Sequence, residues 1–168
     1  MDCSYEKWMH LALKAAEEAA EQGEVPVGAV LVRNGELIAK AHNLCEARKC
    51  ALAHAELLVI EEGSAKLGTW RLNDCTLYVT LEPCSMCTGA LINARVQKIV
   101  YGAKDPRAGA CGSLLSIPSY PLEATPEIVS GILEEQSLYL LRNFFFQKRK
   151  LQLNSFESLK YIPERLGK

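Results

Sequence analysis

Apolar positions along this chain recur with two different periods, and each period predicts a different kind of element. Tyr5, Trp8, Met9, Ala12, Ala15, Ala16 and Ala19 fall at helical spacing, which predicts an amphipathic first helix ended by Gly23. Val25 to Val32 and Leu37 to Ala41 read as two strands. Between them stands Asn34-Gly35, a strong hairpin signal because both residues tolerate the positive φ of a tight turn. Residues 43–52 read as a polar loop, and a helix from about His54 to Glu62 follows, closed by Gly63. Cys75 to Leu81 is a strand rich in β-formers, and Ser85 to Ala94 is a short helix. Val96 to Tyr101 is another apolar strand, reached through a short connection typical of α/β units. Gly102 to Ser113 reads as a Gly-rich loop, and Pro118 and Pro121 mark a further irregular stretch. A short strand near Ile128-Val129 and a long helix from about Ile132 to Lys150 complete the body, with a weak helix expected before Pro163.

Strands interleaved with helices predict an α/β fold with a sheet covered on both faces, and the hairpin makes that sheet mixed. No linker, repeat or low-complexity stretch interrupts the chain, so one domain over residues 1–150 and a C-terminal tail over 151–168 are expected. At 168 residues the chain can bury a substantial core, and 49% hydrophobic with 23% charged residues excludes a disordered protein. No apolar run approaches the ~18 residues of a membrane helix, and the start of the chain lacks the pattern of a secretory signal; a cytoplasmic protein without a membrane partner is expected. The seven cysteines are an odd count without disulfide-framework spacing, which points to reduced thiols or metal ligands. The net charge of -1 conceals a segregation, because residues 1–141 carry a balance of -6 and residues 142–168 one of +5. A basic C-terminus on an acidic body is either a solvated helix or a site for an anionic partner.

The decisive chemistry lies in His54-Ala55-Glu56 and, after 26 intervening residues, Pro83-Cys84-Ser85-Met86-Cys87. Each group falls at the start of a predicted helix, where side chains and free N–H groups converge. Cys84 and Cys87, at i and i+3, share a helix face, and a helix N-terminus favours the thiolates that bind metal. One imidazole and two sulfurs are three ligands, and zinc prefers four, so the fourth position is open to water, as in catalytic rather than structural zinc. Bound zinc lowers the pKa of that water from about 15.7 toward about 7. Glu56 stands beside the metal ligand without being needed as one, which suits it to move protons. A lone C-x-x-C is a redox pair or half a structural site as often as not, and a lone His is usually a core residue. Their conjunction with His-x-Glu is the signature by which zinc deaminases, tRNA-modifying ones among them, are generally recognised. His42, Cys45 and Cys50 fit no standard structural metal site, and Glu82 reads as a hydrogen-bond acceptor beside the ligand turn.

Beyond these motifs the chain resembles the bacterial tRNA adenosine deaminases, which convert the wobble adenosine of an anticodon to inosine. The resemblance runs over residues 5–150 and rests on Glu24-Val25-Pro26-Val27-Gly28-Ala29-Val30, His42-Asn43, Ala53-His54-Ala55-Glu56, Thr69-Trp70-Arg71-Leu72, the stretch Leu77 to Cys84, Asp105-Pro106 to Gly112-Ser113, and Phe144-Phe145. Histidine as the first ligand separates the chain from the free-cytidine deaminases, which use cysteine there. The resemblance implies a cytidine-deaminase-like three-layer α/β/α fold with a mixed five-stranded sheet. It also implies one Zn²⁺ per chain on His54, Cys84 and Cys87, Glu56 as the catalytic group, and a homodimer. Carried over by position, Asn43 matches a residue that hydrogen-bonds the nucleoside, Asp105 one in the loop that lines the nucleotide path, and Phe145 and Arg149 residues of the helix that receives the anticodon stem-loop. The chain departs from the family at Ala51-Leu52, where Pro-Thr is usual, and over Ile117 to Glu123, which lacks an Asn-His pair. The rival function is the same chemistry on guanine, cytosine or a deoxycytidylate; a non-catalytic RNA-binding module would have no use for Glu56.

Overall fold

In the computed structural model, which describes residues 3–159, the order of elements is α1 (Cys3–Glu21), β1 (Gly28–Arg33), β2 (Glu36–His42), α2 (Cys45–Arg48), α3 (Ala55–Leu67), β3 (Cys75–Leu81), α4 (Ser85–Asn93), β4 (Lys98–Ala103), β5 (Glu127–Ser130) and α5 (Glu134–Leu159). A 3-10 turn occupies Ile117–Ser119. The five strands lie in the order β2-β1-β3-β4-β5. β1 runs antiparallel to both β2 and β3, whereas β3, β4 and β5 are mutually parallel. The predicted mixed five-stranded sheet is therefore present.

Alternation along the strands explains the layers. Val30, Val32, Tyr78 and Val100 point to one face and pack with Trp8, Met9 and Ala12 of α1. Their neighbours Ala29, Leu31, Leu77, Val79, Ile99 and Tyr101 point to the other and pack with Ala55 and Val59 of α3 and Leu91 of α4. α5 joins α1 on the first face. Because both faces are covered, the inner strands β1, β3 and β4 are apolar at most positions, whereas the edge strands β2 and β5 carry polar residues.

Several boundaries differ from the sequence reading, each for a physical reason. β1 begins at Gly28 rather than Val25, since Pro26 has no N–H for a ladder and Val27 turns back on Val25 O at 2.7 Å. The expected loop at 43–52 contains the short helix α2, ended by Lys49 at φ 49°. α3 does not stop at Gly63 but runs to Leu67, with Gly68 (φ 65°) as its left-handed cap. Gly63 is instead a close approach, since a Cβ there would collide with Leu31 of β1. β4 is shifted two residues later than expected, because Arg95 (φ 61°) and Gln97 are spent turning the chain out of α4. α5 opens after Gly131 and Leu133, both at positive φ, and continues through Leu159 rather than ending near Lys150. The weak helix expected before Pro163 lies, beyond Leu159, outside the described residues. The hairpin turn follows its prediction, with Asn34 and Gly35 at φ 52° and 76°.

Gly28 fixes how closely α1 lies on the sheet, because a Cβ there would fall on the α1 backbone at Ala12 and Ala16. Gly28→Ala should therefore destabilise the protein by about 1–3 kcal/mol, read as a lower urea midpoint, because backbone cannot move aside as a side chain tip can. An unchanged midpoint would mean that α1 rides free of β1.

Candidate active site

Two helix starts build the centre of the site. His54 is the N-cap of α3, in extended conformation, and Cys84 is the N-cap of α4. Glu56 and Cys87 lie in the first turns that follow. β1 and β3 are neighbours, so the two helices on one face of the sheet begin close together. His54 Nδ1 lies 3.5 Å from Cys87 Sγ and 3.9 Å from Cys84 Sγ, and the three potential ligand atoms are all within 4.8 Å of one another. A tetrahedral zinc with its usual bond lengths separates N and S by about 3.6 Å and two sulfurs by about 3.8 Å. The triad fits such an ion, and a borderline-soft N and S donor set suits zinc in particular.

Electrostatics at the triad agree with this chemistry. Cys84 is drawn down to about 4, because its thiolate accepts the Cys87 S–H and bonds His54. Cys87 is pushed up, because its proton is held by Cys84 and because it is buried. The bond to Cys84 raises His54 against the opposing effect of burial. The thiol pair is thus poised to give up its first proton easily, as a metal requires.

Glu56 is 4% exposed, and its Oε2 has no hydrogen-bond partner. Burial pushes its carboxyl above the usual carboxylate range. It lines a cavity of about 240 Å³ together with His54 and Cys84. Val25, Val27, Leu81 and Ala108 form the apolar wall, and Asn43, Cys45, Glu82 and Asp105 complete the rim.

The structure therefore gathers His54, Glu56, Cys84, Asn43 and Asp105 around one cavity, with Cys87 behind it. Phe145 is 41% exposed and lines an adjoining cavity of about 430 Å³ with Lys104, Asp105 and Arg107. Arg149, one turn further along α5, is exposed and lines neither cavity. Of the three adjacent phenylalanines, Phe144 is core whereas Phe145 and Phe146 face outward. His42 is engaged elsewhere, with its Nδ1 at 2.8 Å from Asn43 O and its Nε2 near Gln22.

Two site residues carry more than the sequence suggested. Glu82 accepts backbone N–H bonds from Asp105 (3.1 Å), Cys111 (3.0 Å) and Ser113 (3.0 Å), and the Ser113 hydroxyl as well. It thereby folds the loop after β4 over the cavity. Gly109 has to be glycine there, because a Cβ would strike the Glu82 carboxyl. Burial alone would raise Glu82, but the Ser113 hydroxyl and the three backbone N–H groups outweigh it and hold the carboxyl below its ordinary range. Glu24, in turn, is buried behind Asn43 and bonds its side chain. Acidic residues next to apolar runs are common on surfaces, so nothing in the local pattern announced Glu24.

With this geometry established, comparison with known proteins is informative. A MafB19-like deaminase family model matches residues 3–148. A tRNA-specific adenosine deaminase of Bacillus subtilis (strain 168) is 52% identical over 146 residues, which are 86% of this chain and 91% of that protein. A solved structure from work on A-to-I editing by tRNA:A34 deaminases at the wobble position of transfer RNA superposes with a TM-score of 0.78 at 43% identity, covering 80% of this chain and 99% of that one. A guanine deaminase from Nitrosomonas europaea is more distant, with a TM-score of 0.70 at 27% identity over 83% of each chain.

The Glu82 clamp has a measurable pH signature. A carboxyl whose pKa is lower folded than unfolded stabilises fully above its unfolded value, about 4.3, and loses that stabilisation as pH falls through the folded value. Glu82→Gln should cost about 2 kcal/mol at pH 7, since an amide cannot accept from four donors, and its difference from wild type should shrink as pH falls below about 4. Urea titrations of both proteins between pH 3 and 7 measure this; a pH-independent difference would contradict the clamp.

Proposed function

Since the chain belongs to the MafB19-like deaminases, and within them to the tRNA-specific adenosine deaminases, we propose that it hydrolyses the wobble adenosine of a tRNA anticodon stem-loop to inosine and ammonia, as a cytoplasmic homodimer with one Zn²⁺ per chain. The observation that carries this reading is the unpartnered Glu56 Oε2 beside the His54, Cys84 and Cys87 triad, in a cavity large enough for a single base. No helix among the described residues is long and apolar enough to cross a membrane.

His54, Cys84 and Cys87 would hold the metal. Zinc there would supply an acidified water as the nucleophile for C6 of the purine. Glu56 Oε2 takes one proton of the attacking water and passes it to the ring nitrogen, then carries the second from the oxygen now on C6 to the departing amine, so that water and adenosine become inosine and ammonia. Its burial disfavours the charged form, which helps it to hold a proton between the two transfers. Val25, Val27, Leu81 and Ala108 grip the faces of the base and keep bulk water out. Asn43 hydrogen-bonds the nucleoside from the rim. An unpaired anticodon base reaches such a pocket without breaking a duplex.

The neighbouring cavity supports RNA over a free base. It joins Phe145, a surface on which a flanking base can stack, to Lys104 and Arg107, which suit its phosphate, with Asp105 on the wall between the two cavities. Arg149 extends the same face of α5 at i+4 from Phe145. The homodimer is supported by α3 and α4, whose outer residues Leu57, Ile60 and Ala90 are only half-buried in the single chain. Deamination of a free base or nucleotide (guanine, cytosine or a deoxycytidylate) is the second reading, favoured by the similarity to a guanine deaminase.

Ammonia release measured on tRNA, on an anticodon stem-loop, and on guanine, cytosine and deoxycytidylate decides between the readings; turnover of a small substrate with none on RNA would replace the first by the second. Glu56→Ala should keep its zinc and its fold but lose about 10²–10⁴-fold or more in kcat, the usual worth of proton shuttling. Activity within a few-fold of wild type would end the proposed mechanism. The double charge reversal Arg149→Glu with Lys150→Glu should weaken tRNA binding and flatten its salt dependence, while zinc content stays the same. Wild-type affinity and salt slope in that variant would move the docking surface elsewhere.

A further inference from the structure

Glu24 is 1% exposed and belongs to no part of the proton chemistry, yet its carboxyl is fully engaged at the edge of the cavity. One oxygen, Oε1, accepts Ala47 N–H at 2.7 Å. The other, Oε2, accepts Glu46 N–H at 3.1 Å and the Asn43 side-chain Nδ2 at 3.0 Å. Every partner is a donor. Two of them are the first-turn N–H groups of α2, which has no side-chain cap of its own. The third orients a rim residue of the cavity.

The Asn43 amide has two orientations of nearly equal shape, and they present opposite chemistry to a ligand. Glu24 admits only the one with Nδ2 toward Oε2, since the flipped amide would set oxygen against oxygen in a buried place. A second contact agrees, because the Cys45 S–H donates to Asn43 Oδ1 at 3.3 Å. The main chain is held too, with Asn43 N–H donating to Val27 O at 2.9 Å. Each group of the amide keeps one free function for a ligand, a single N–H on Nδ2 and a single lone pair on Oδ1.

We propose that Glu24 is a positioning residue, which fixes the Asn43 amide and so sets the donor and acceptor pattern that the rim offers to the bound nucleoside. The proposal rests on the deaminase reading of the cavity. Glu24 touches neither substrate nor reacting atoms and acts through Asn43. In Glu24→Gln an NH₂ replaces one acceptor: at the Oε1 place it opposes Ala47 N–H, and at the Oε2 place it opposes both Glu46 N–H and Asn43 Nδ2, so the group that holds the Asn43 amide becomes a weaker neutral acceptor or a donor.

Two measurements on the zinc-loaded, full-length protein test this. The first does not depend on activity. In a ¹⁵N–¹H correlation spectrum the Asn43 side-chain pair, assigned with Asn43→Ala, should move in Glu24→Gln; an unmoved pair overturns the proposal whatever the substrate is. The second is a double-mutant cycle on an anticodon stem-loop. Glu24→Gln should lower kcat/KM by about tenfold or more, mainly through KM, since small misplacements of a positioning group cost up to about 10²-fold. It should lower it hardly further in an Asn43→Ala background, with zinc content unchanged throughout. Additive losses in the cycle would give Glu24 a merely structural role and overturn the proposal. If Glu24→Gln does not fold, Glu24→Asp, which withdraws the carboxyl by one methylene, is read in the same two ways. A wild-type protein that leaves the stem-loop untouched but deaminates a free base refutes the RNA reading alone, and the cycle is then read on that base.

Discussion

His54 and Cys84 stand one residue outside α3 and α4, so the spacing of the proposed metal ligands is set by where two helices begin. A helix start is a backbone event, and its position is only as fixed as the packing beneath it. Here that packing leaves no slack. Gly63 lets α3 sit directly on Leu31 of β1, and Gly28 lets α1 sit on the opposite face of the same strand. β1 is therefore pressed from both sides, with β3, which leads into Cys84, bonded to its edge. Errors of a few tenths of an ångström in those layers would pass directly to the ligand distances, which is why close-packed strand residues and glycines matter to a metal site they never touch.

The loops around the cavity are held on a different principle. Segments 43–48 and 104–113 are too irregular and too polar to be fixed by apolar burial, and their backbone N–H groups need acceptors. Two carboxyl groups supply them, Glu24 for the first and Glu82 for the second. Both stand in the stretches that lead from the α1 side and from β3 into the site, where the framework is rigid. An acidic side chain surrounded only by donors tolerates little exchange, since an amide of the same shape turns one attraction into a repulsion.

What the sequence made legible follows the range over which each signal acts. The hairpin at Asn34-Gly35, the strand Cys75–Leu81 and the helix start at Ser85 depend on neighbours within a few residues, and the prediction and the structure coincide there. The convergence of His54, Cys84 and Cys87 was legible because metal-ligand chemistry restricts residue type as well as spacing. The misreadings at Gly63 and α2 share a long-range cause. Gly63 was read as a stop because glycine within a helix usually is one; only the Leu31 side chain, 32 positions earlier, makes it a contact. α2 was missed because its cap is Glu24, more than twenty residues away. Asp105 could be placed at the site by resemblance, but the clamp that puts it there becomes visible only when Glu82 and Ser113 are seen together.

Fold and metal chemistry do not by themselves choose the substrate. A guanine deaminase shares the architecture at 27% identity, so what separates RNA from a free base must lie outside the common core. The inner cavity, at about 240 Å³, has room for one base and little else. On the proposed reading, discrimination belongs to whatever adjoins it. In this chain that is α5, which runs to Leu159 and turns Phe145 toward Lys104 and Arg107 while Phe144 anchors the helix to the body. A free base would gain nothing from that second cavity, whereas a nucleotide in a strand would, on the proposed reading, carry its neighbour there with its phosphate. The basic residues Arg142, Lys148, Arg149 and Lys150, all on α5, would act in the same direction, since they add attraction for a polyanion on the helix that carries Phe145.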